Sequence, residues 1–218
     1  MEAENRDLLI EGAKAFGIQL EERMLEAFDL YLKELLKWNQ KINLTSIRSE
    51  RGIALKHFLD SLSPHPHLPQ AFSLLDIGAG AGFPGIPLKI VRSSLAVTLI
   101  DSVRKKVDFQ RHAIRILDLK GIEAVHGRVQ EKEIVQTMEG RFDAAISRAF
   151  SDLRTLLTLS YPFLKKGGTL LAMKGQVDNQ ELEGLIQAER MGYRMQNIFY
   201  FTLPQSTFKR SILLFEKQ

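Results

Sequence analysis

Apolar residues in the first third of the chain recur every three or four positions, the spacing of helices that bury one face. From Glu21 to Lys41, Leu25, Phe28, Leu32, Leu35 and Leu36 form such a stripe. Gly17 is placed to end the preceding helix, since glycine readily takes the left-handed conformation of a helix stop. A further helix is predicted over 49–62. The stretch Ser63-Pro64-His65-Pro66-His67-Leu68-Pro69 then reads as an extended connector, with both histidines in solvent. Residues 1–72 are therefore expected to form a helical N-terminal extension.

From Ser73 the pattern changes to short apolar runs separated by helical stretches. Strands are predicted at 73–77, 96–100, 122–126, 142–147 and 168–173. Helices are predicted at 84–92, 103–117, 130–137, 152–164 and 179–190. Two last strands, 193–201 and 210–216, are near enough in sequence to pair antiparallel. Residues 73–218 thus read as an α/β domain, a mostly parallel sheet with a C-terminal antiparallel hairpin. Such sheets bind ligands at the carboxyl ends of their strands, which gathers Gly78, Asp101, residues 127–130 and Ser147-Arg148 around one crevice. In helix 103–117, Val103, Val107, Ile114 and Leu117 are expected to be buried, with Arg104, Asp108, Arg111 and Arg115 on another face.

The most informative segment is Leu74-Leu75-Asp76-Ile77-Gly78-Ala79-Gly80-Ala81-Gly82-Phe83-Pro84-Gly85. A strand enters a turn nearly free of side chains, where backbone can approach a ligand closely. Two cofactors compete for it. From Gly80 the segment matches the dinucleotide pattern G-x-G-x-x-G. From Asp76 it reads Asp-x-Gly-x-Gly-x-Gly, the pattern of S-adenosyl-L-methionine (SAM) methyltransferases. Pro84 removes an amide that a pyrophosphate would use. Asp76 would repel a diphosphate but could pair with an ammonium group. Asp101, ending the next strand, suits a ribose diol in either cofactor. The balance favours SAM and a Rossmann-like SAM-methyltransferase sheet.

Composition narrows the class. A chain of 218 residues with 44% hydrophobic and 26% charged positions fits one sizeable domain with an appended element. No apolar run approaches the roughly 20 residues of a membrane span, and the acidic start does not resemble a secretory signal, so a cytoplasmic location is expected. The absence of cysteine removes thiolate chemistry, including the attack by which pyrimidine C5 is usually activated. His65 and His67 have no third ligand nearby, so no metal site is expected. Residues 1–36 hold four Lys/Arg against nine Asp/Glu, whereas the remainder holds 26 against 17. A basic body of that kind is compatible with a polyanionic substrate.

The fourth strand ends in Ser147-Arg148-Ala149-Phe150, where enzymes acting on exocyclic amines usually carry Asp/Asn-Pro-Pro-aromatic. Arg148 offers a planar donor fork suited to a phosphate or to guanine O6 and N7. A basic path also includes Arg48, Arg51, Lys56, His57, Lys165, Lys166, Lys174, Lys209 and Arg210, of which Lys174 lies nearest the crevice.

These residues carry a resemblance. Trp38-Asn39, Asn43-Leu44-Thr45, His57-Phe58-Leu59-Asp60-Ser61-Leu62, the Gly-rich loop continued by Ile86-Pro87-Leu88, and Asp101-Ser102 belong to it. So do Lys105-Lys106 with Phe109, Gly127-Arg128, Ser147-Arg148-Ala149 and Met173-Lys174-Gly175. Along nearly its whole length the chain resembles the GidB (RsmG) family of small-subunit ribosomal RNA guanine-N7 methyltransferases. It departs at Val129-Gln130-Glu131, where the family often has acidic residues directly after Gly127-Arg128.

The resemblance implies that Gly78 and Phe83 line the SAM site, that Asp101, Ser102 and Val103 hold the ribose and adenine edge, and that Val129 and Gln130 hold the adenine. Arg148, counted with the cofactor-binding residues, would form the crevice floor or a substrate contact, and Lys174 a second substrate contact. No catalytic acid or base is assigned, and His57 and Asp60 match motifs without an assigned role. The implied partner is small-subunit ribosomal RNA or the assembling small subunit, met by a monomer away from any membrane. Three rivals remain open: a methyltransferase for small molecules or proteins, an NAD-dependent oxidoreductase, and a non-catalytic RNA-binding module.

Overall fold

A seven-stranded sheet in the order β3-β2-β1-β4-β5-β7-β6 forms the body of the protein. The structure, a computed structural model, describes residues 1–68, 73–148, 150, 152–176, 185 and 187–218. Strands β1 (Ser73–Ile77), β2 (Ala96–Asp101), β3 (Ile122–His126), β4 (Phe142–Ser147) and β5 (Leu164–Lys174) run parallel. The hairpin β6 (Tyr193–Thr202) and β7 (Lys209–Lys217) is antiparallel to itself and to β5. The order reverses between β1 and β4, the point where such sheets open a ligand crevice. Ser147 Oγ donates to Ile77 O at 2.8 Å across that point, fixing the two strand ends together.

Helices α1 (Ala3–Lys14) and α2 (Glu22–Asn39) precede a composite helix. Its parts are α3 (Glu50–Ile53), a π-helical segment (Ala54–Leu59) and α4 (Asp60–Leu62). Ser49 Oγ caps its start by accepting from Gly52 N at 3.2 Å. Helices α5 (Gly85–Val91), α6 (Arg104–Ile116), α7 (Lys132–Met138) and α8 (Leu153–Ser160) alternate with the strands.

The apolar stripe read between Glu21 and Lys41 faces the sheet side. Leu9, Phe28, Tyr31, Leu35 and Phe58 belong to the same buried cluster as Leu74, Ile86, Leu99 and Phe109. The other sheet face packs Leu75, Ile77 and Ala145 against Leu153, Leu156 and Leu157 of α8. No helix among the described residues is long and apolar enough to cross a membrane.

Three expectations need correction. His65–His67 forms a 3₁₀ turn in place of an extended connector. The His67 ring stacks on Phe199 with centroids 3.7 Å apart, and both histidines are partly buried, which lowers their pKa values. Proline fixes φ near −65°, a value that suits this tight turn as well as an extended chain. Val103 is 44% exposed, because it precedes the first turn of α6; Val107, Phe109, Gln110 and Ala113 form the buried face instead. Strand β5 begins at Leu164, earlier than predicted, after α8 has ended at Ser160. The helix expected over 179–190 falls largely outside the described residues; within them Leu185, Gln187 and Ala188 are helical and Glu189–Met191 forms a 3₁₀ turn.

Candidate functional site

The glycine turn after β1 takes positive φ at Gly78 (73°), Gly80 (60°) and Gly82 (96°), values that side chains disfavour. Its amides are largely spent within the protein. Gly78 N and Ala79 N donate to Ile100 O, Gly80 N to Asp101 Oδ2 at 2.8 Å, and Gly85 N to Asp76 Oδ2 at 2.8 Å. Gly82 N and Phe83 N both donate to Ala79 O. A pyrophosphate needs such donors free and pointing outward. The loop therefore suits a cofactor held by shape and by the neighbouring acid more than by an anion cradle.

Two residues that sequence reasoning missed brace this loop. Tyr31 Oη of α2 donates to Ala81 O, and Gln110 Nε2 of α6 donates to Gly80 O at 2.8 Å. Both are fully buried, and a polar atom within an apolar helix face was the available signal.

Asp76 differs from its expected role. Its carboxyl is completely buried beneath the loop, towards α5, and does not face the crevice. Burial raises its pKa to about 7, opposed by the Gly85 amide and by Arg148, while Oδ1 has no hydrogen-bond partner among the described residues.

Two cavities open at the strand ends. The first, about 370 Å³, is lined by Gly78, Asp101, Ser102, Val129 and Gln130, with Thr155 and Leu159 of α8 closing it. That volume falls in the range of small-molecule sites. Asp101 Oδ1 accepts from Val103 N at 2.8 Å, so both carboxylate oxygens are anchored by amides and oriented. Sequence-predicted Phe83, Val103 and Arg148 are not among the lining residues; Val103 sits beside Asp101, Phe83 lies deeper, and Arg148 lines the second cavity.

The second cavity, about 340 Å³, is lined by Asp60, Arg148, Met173, Lys174 and Arg210 among others. Phe150 lines both cavities and so forms a wall between them. It occupies the aromatic position of the motif at the end of β4, a signal present in the sequence but not used. Lys174 Nζ donates to Phe150 O at 2.8 Å.

Arg148 is held from several sides. It donates through Nη1 to Lys56 O and through Nη2 to His57 Nδ1, both at 3.1 Å, and lies 3.6 Å from Asp60 Oδ2. Asp60 Oδ1 accepts from Arg210 Nε at 2.8 Å. The Phe83 ring lies under this group, stacked on His57 with centroids 4.6 Å apart and 5.1 Å from the Arg148 guanidinium carbon. His57 in turn meets Thr45 Oγ1 at 2.7 Å, and Asn39 binds Leu44 N, Thr45 N and Thr45 O. The motifs around Asn39, Thr45, His57 and Asp60 thus converge on one guanidinium. A π turn carries His57, a device frequent at functional sites.

Elsewhere the α6 arginines have structural work. Arg111 Nε donates to Ala124 O at 3.1 Å, and Arg104 lies 3.6 Å from Asp108, four residues on.

Residues 24–207 match the family model described as rRNA small subunit methyltransferase G. The chain is 44% identical over 213 residues to the ribosomal RNA small subunit methyltransferase G of Geotalea uraniireducens, covering 97% of this chain and 96% of that one. It is 42% identical to the enzyme of the same name from Acetivibrio thermocellus, covering 97% and 88%. Among solved structures, the [4+2]-cyclase SpnF superposes with a TM-score of 0.60 at 15% identity, covering 78% of this chain and 82% of that one. That likeness establishes the fold alone, since one fold hosts many activities. The sequence matches go further: the chain belongs to the rRNA small subunit methyltransferase G (GidB) family of SAM-dependent methyltransferases.

Proposed function

We propose that this enzyme transfers the methyl group of S-adenosyl-L-methionine to N7 of a guanine in small-subunit ribosomal RNA. The cofactor supplies an electrophilic methyl carbon on a sulfonium. Gly78 allows close approach, Asp101 accepts hydrogen bonds from ribose hydroxyls, and Ser102, Val129 and Gln130 flank the adenine. Val103 acts through its amide, which orients Asp101. Phe83 acts from below, supporting His57 and Arg148. The buried Asp76 carboxyl, bound to the Gly85 amide, lies outside this set.

The observation that carries the reading is the make-up of the second cavity. It offers Arg148, Lys174 and Arg210, and its carboxylate is held by two arginines, while His57, which lies outside its lining, has both ring nitrogens engaged. Guanine N7 has an in-plane lone pair and no proton to lose, so alignment suffices and a general base has nothing to do. A reaction at an exocyclic amine would need a proton acceptor that these residues do not supply. With one bond each from Nη1 and Nη2 spent on Lys56 O and His57 Nδ1, Arg148 meets a phosphate or the guanine edge with its charge and its remaining donors. The base must be unstacked to enter, as in other base-modifying enzymes.

We assign residues 73–218 to the methyltransferase domain and residues 1–72 to a helical extension that braces the glycine loop. The enzyme works as a monomer in the cytoplasm, on ribosomal RNA or on the assembling subunit. Incubation with labelled SAM and small-subunit ribosomal RNA, followed by mapping of the label, tests the assignment. Label on guanine N7 is expected; label on adenine or cytosine, or none, refutes it.

A further inference from the structure

The Arg148 cavity does not end at Arg210. Gly175, Gln176, Phe201 and Arg210 also line an outer depression of about 600 Å³ bounded by Tyr200, Thr202 and Lys209. Four shared residues make the two one groove leading outward from the substrate side.

Its outer wall is built from the sheet's edge hairpin. Tyr200 pairs with Ser211 and Thr202 with Lys209, so Tyr200 and Lys209 are diagonal neighbours on one sheet face, roughly 7–8 Å apart. Tyr200 is 66% exposed, although large rings are costly to leave in water. It has no ring contact or hydrogen bond among the described residues. Lys209 is exposed, and its side-chain ammonium likewise has no hydrogen-bond or ion-pair partner among them. Arg210 spends Nε on Asp60 and Nη1 on Lys209 O, leaving the rest of its fork open.

We propose that this outer groove is a subsite for single-stranded RNA, taking a nucleotide that flanks the target guanine, its base stacked on Tyr200 and its phosphate held by Lys209 and Arg210. This deepens the proposed function and rests on it. An uncovered ring beside an unpaired ammonium and a guanidinium with donors to spare is the composition of single-strand sites, where aromatic faces stack bases and cations follow the backbone. An acidic peptide would use the cations and leave the ring without a purpose.

The test uses full-length Y200A, Y200F and K209A proteins, a short fluorescein-labelled single-stranded RNA containing guanine, and S-adenosylhomocysteine calorimetry as a folding control. Y200A is expected to weaken RNA binding by about tenfold, and Y200F to retain wild-type affinity. K209A is expected to reduce the slope of log affinity against log salt by about one. S-adenosylhomocysteine affinity stays unchanged in all three. Wild-type RNA affinity and salt slope in Y200A and K209A overturn the proposal. So does a defect confined to protein-containing subunits, which assigns the groove to a protein partner. RNA binding is read separately from methyl transfer. A wild-type protein that binds RNA through Tyr200 yet methylates none refutes the activity and leaves the subsite standing.

Discussion

Arg148 Nη2 lies 3.1 Å from His57 Nδ1, and the opposite ring nitrogen lies 2.7 Å from Thr45 Oγ1. An arginine can only donate, so Nδ1 accepts and the single ring proton sits on Nε2, donated to Thr45. Burial, reinforced by the Arg148 charge, lowers the His57 pKa to about 3. The imidazole is a neutral positioning group for Arg148. His57→Ala should lower kcat/KM for RNA by about tenfold, ~1.4 kcal/mol, with S-adenosylhomocysteine affinity unchanged. His57→Gln, which can still offer an acceptor to the guanidinium, should recover part of the loss. The unfolded chain binds a proton at His57 below about pH 6.5 and the folded chain does not until about pH 3. This site's share of stability is therefore lost as pH falls through that window. NMR of the ring nitrogens should find the Nε2–H tautomer unchanged down to pH 5.

Asp76 has the opposite sign. Its folded pKa of about 7 exceeds the unfolded 3.8, so between those values the folded protein keeps a proton that the unfolded chain has released. The contribution is complete below pH 3.8 and is lost as pH rises through 7. Other groups titrate in the same range, so the informative quantity is a difference. Asp76→Asn mimics the protonated carboxyl, and its urea stability relative to wild type should rise between pH 4 and 7 by a few kcal/mol. A constant difference across that range would refute the assignment.

Tyr31 reaches from α2 to the Ala81 carbonyl of the glycine loop. Tyr31→Phe keeps the stacking on Phe58 and Phe109 but leaves that carbonyl without its hydroxyl partner. The expected cost is about 1–3 kcal/mol in global stability, together with weaker S-adenosylhomocysteine binding in calorimetry. Unchanged cofactor affinity would show that α2 does not brace the loop.

Two glycines of the loop should fail differently. A Cβ on Gly85 would lie 2.3 Å from Leu99 Cδ2 and 2.9 Å from Asp76 Oδ2, inside the core. Gly85→Ala should therefore cost about 1–3 kcal/mol or more of stability. A Cβ on Gly78 meets only Phe150, at 3.8 Å, but must tolerate φ of 73° and enter the cofactor cavity. Gly78→Ala should remain folded while S-adenosylhomocysteine affinity falls by at least tenfold, as calorimetry beside thermal melts would distinguish.

The parallel strands were legible because both their faces are buried, which writes them as continuous apolar runs such as Leu74-Leu75 and Val97 to Ile100. The glycine loop was legible because positive φ and close packing leave little choice of residue. The connector at His65–His67 was misread because proline constrains one angle shared by two conformations. Asp76 was misread because a strand-end acid can point either way, and only the placement of α5 decides. His57 and Asp60 could be quoted as motif residues without a role, since their partner Arg148 lies more than eighty positions away in the chain. Lys209 was read as part of a basic path, but Tyr200 beside it was missed, because strand register makes them neighbours.

The apolar cluster that runs from Leu9 through Tyr31 and Phe58 to Leu74 and Leu99 has no seam between helices and sheet. Phe83, which underlies the clasp on Arg148, belongs to that same cluster, so the N-terminal helices and the sheet together hold up the substrate side of the crevice.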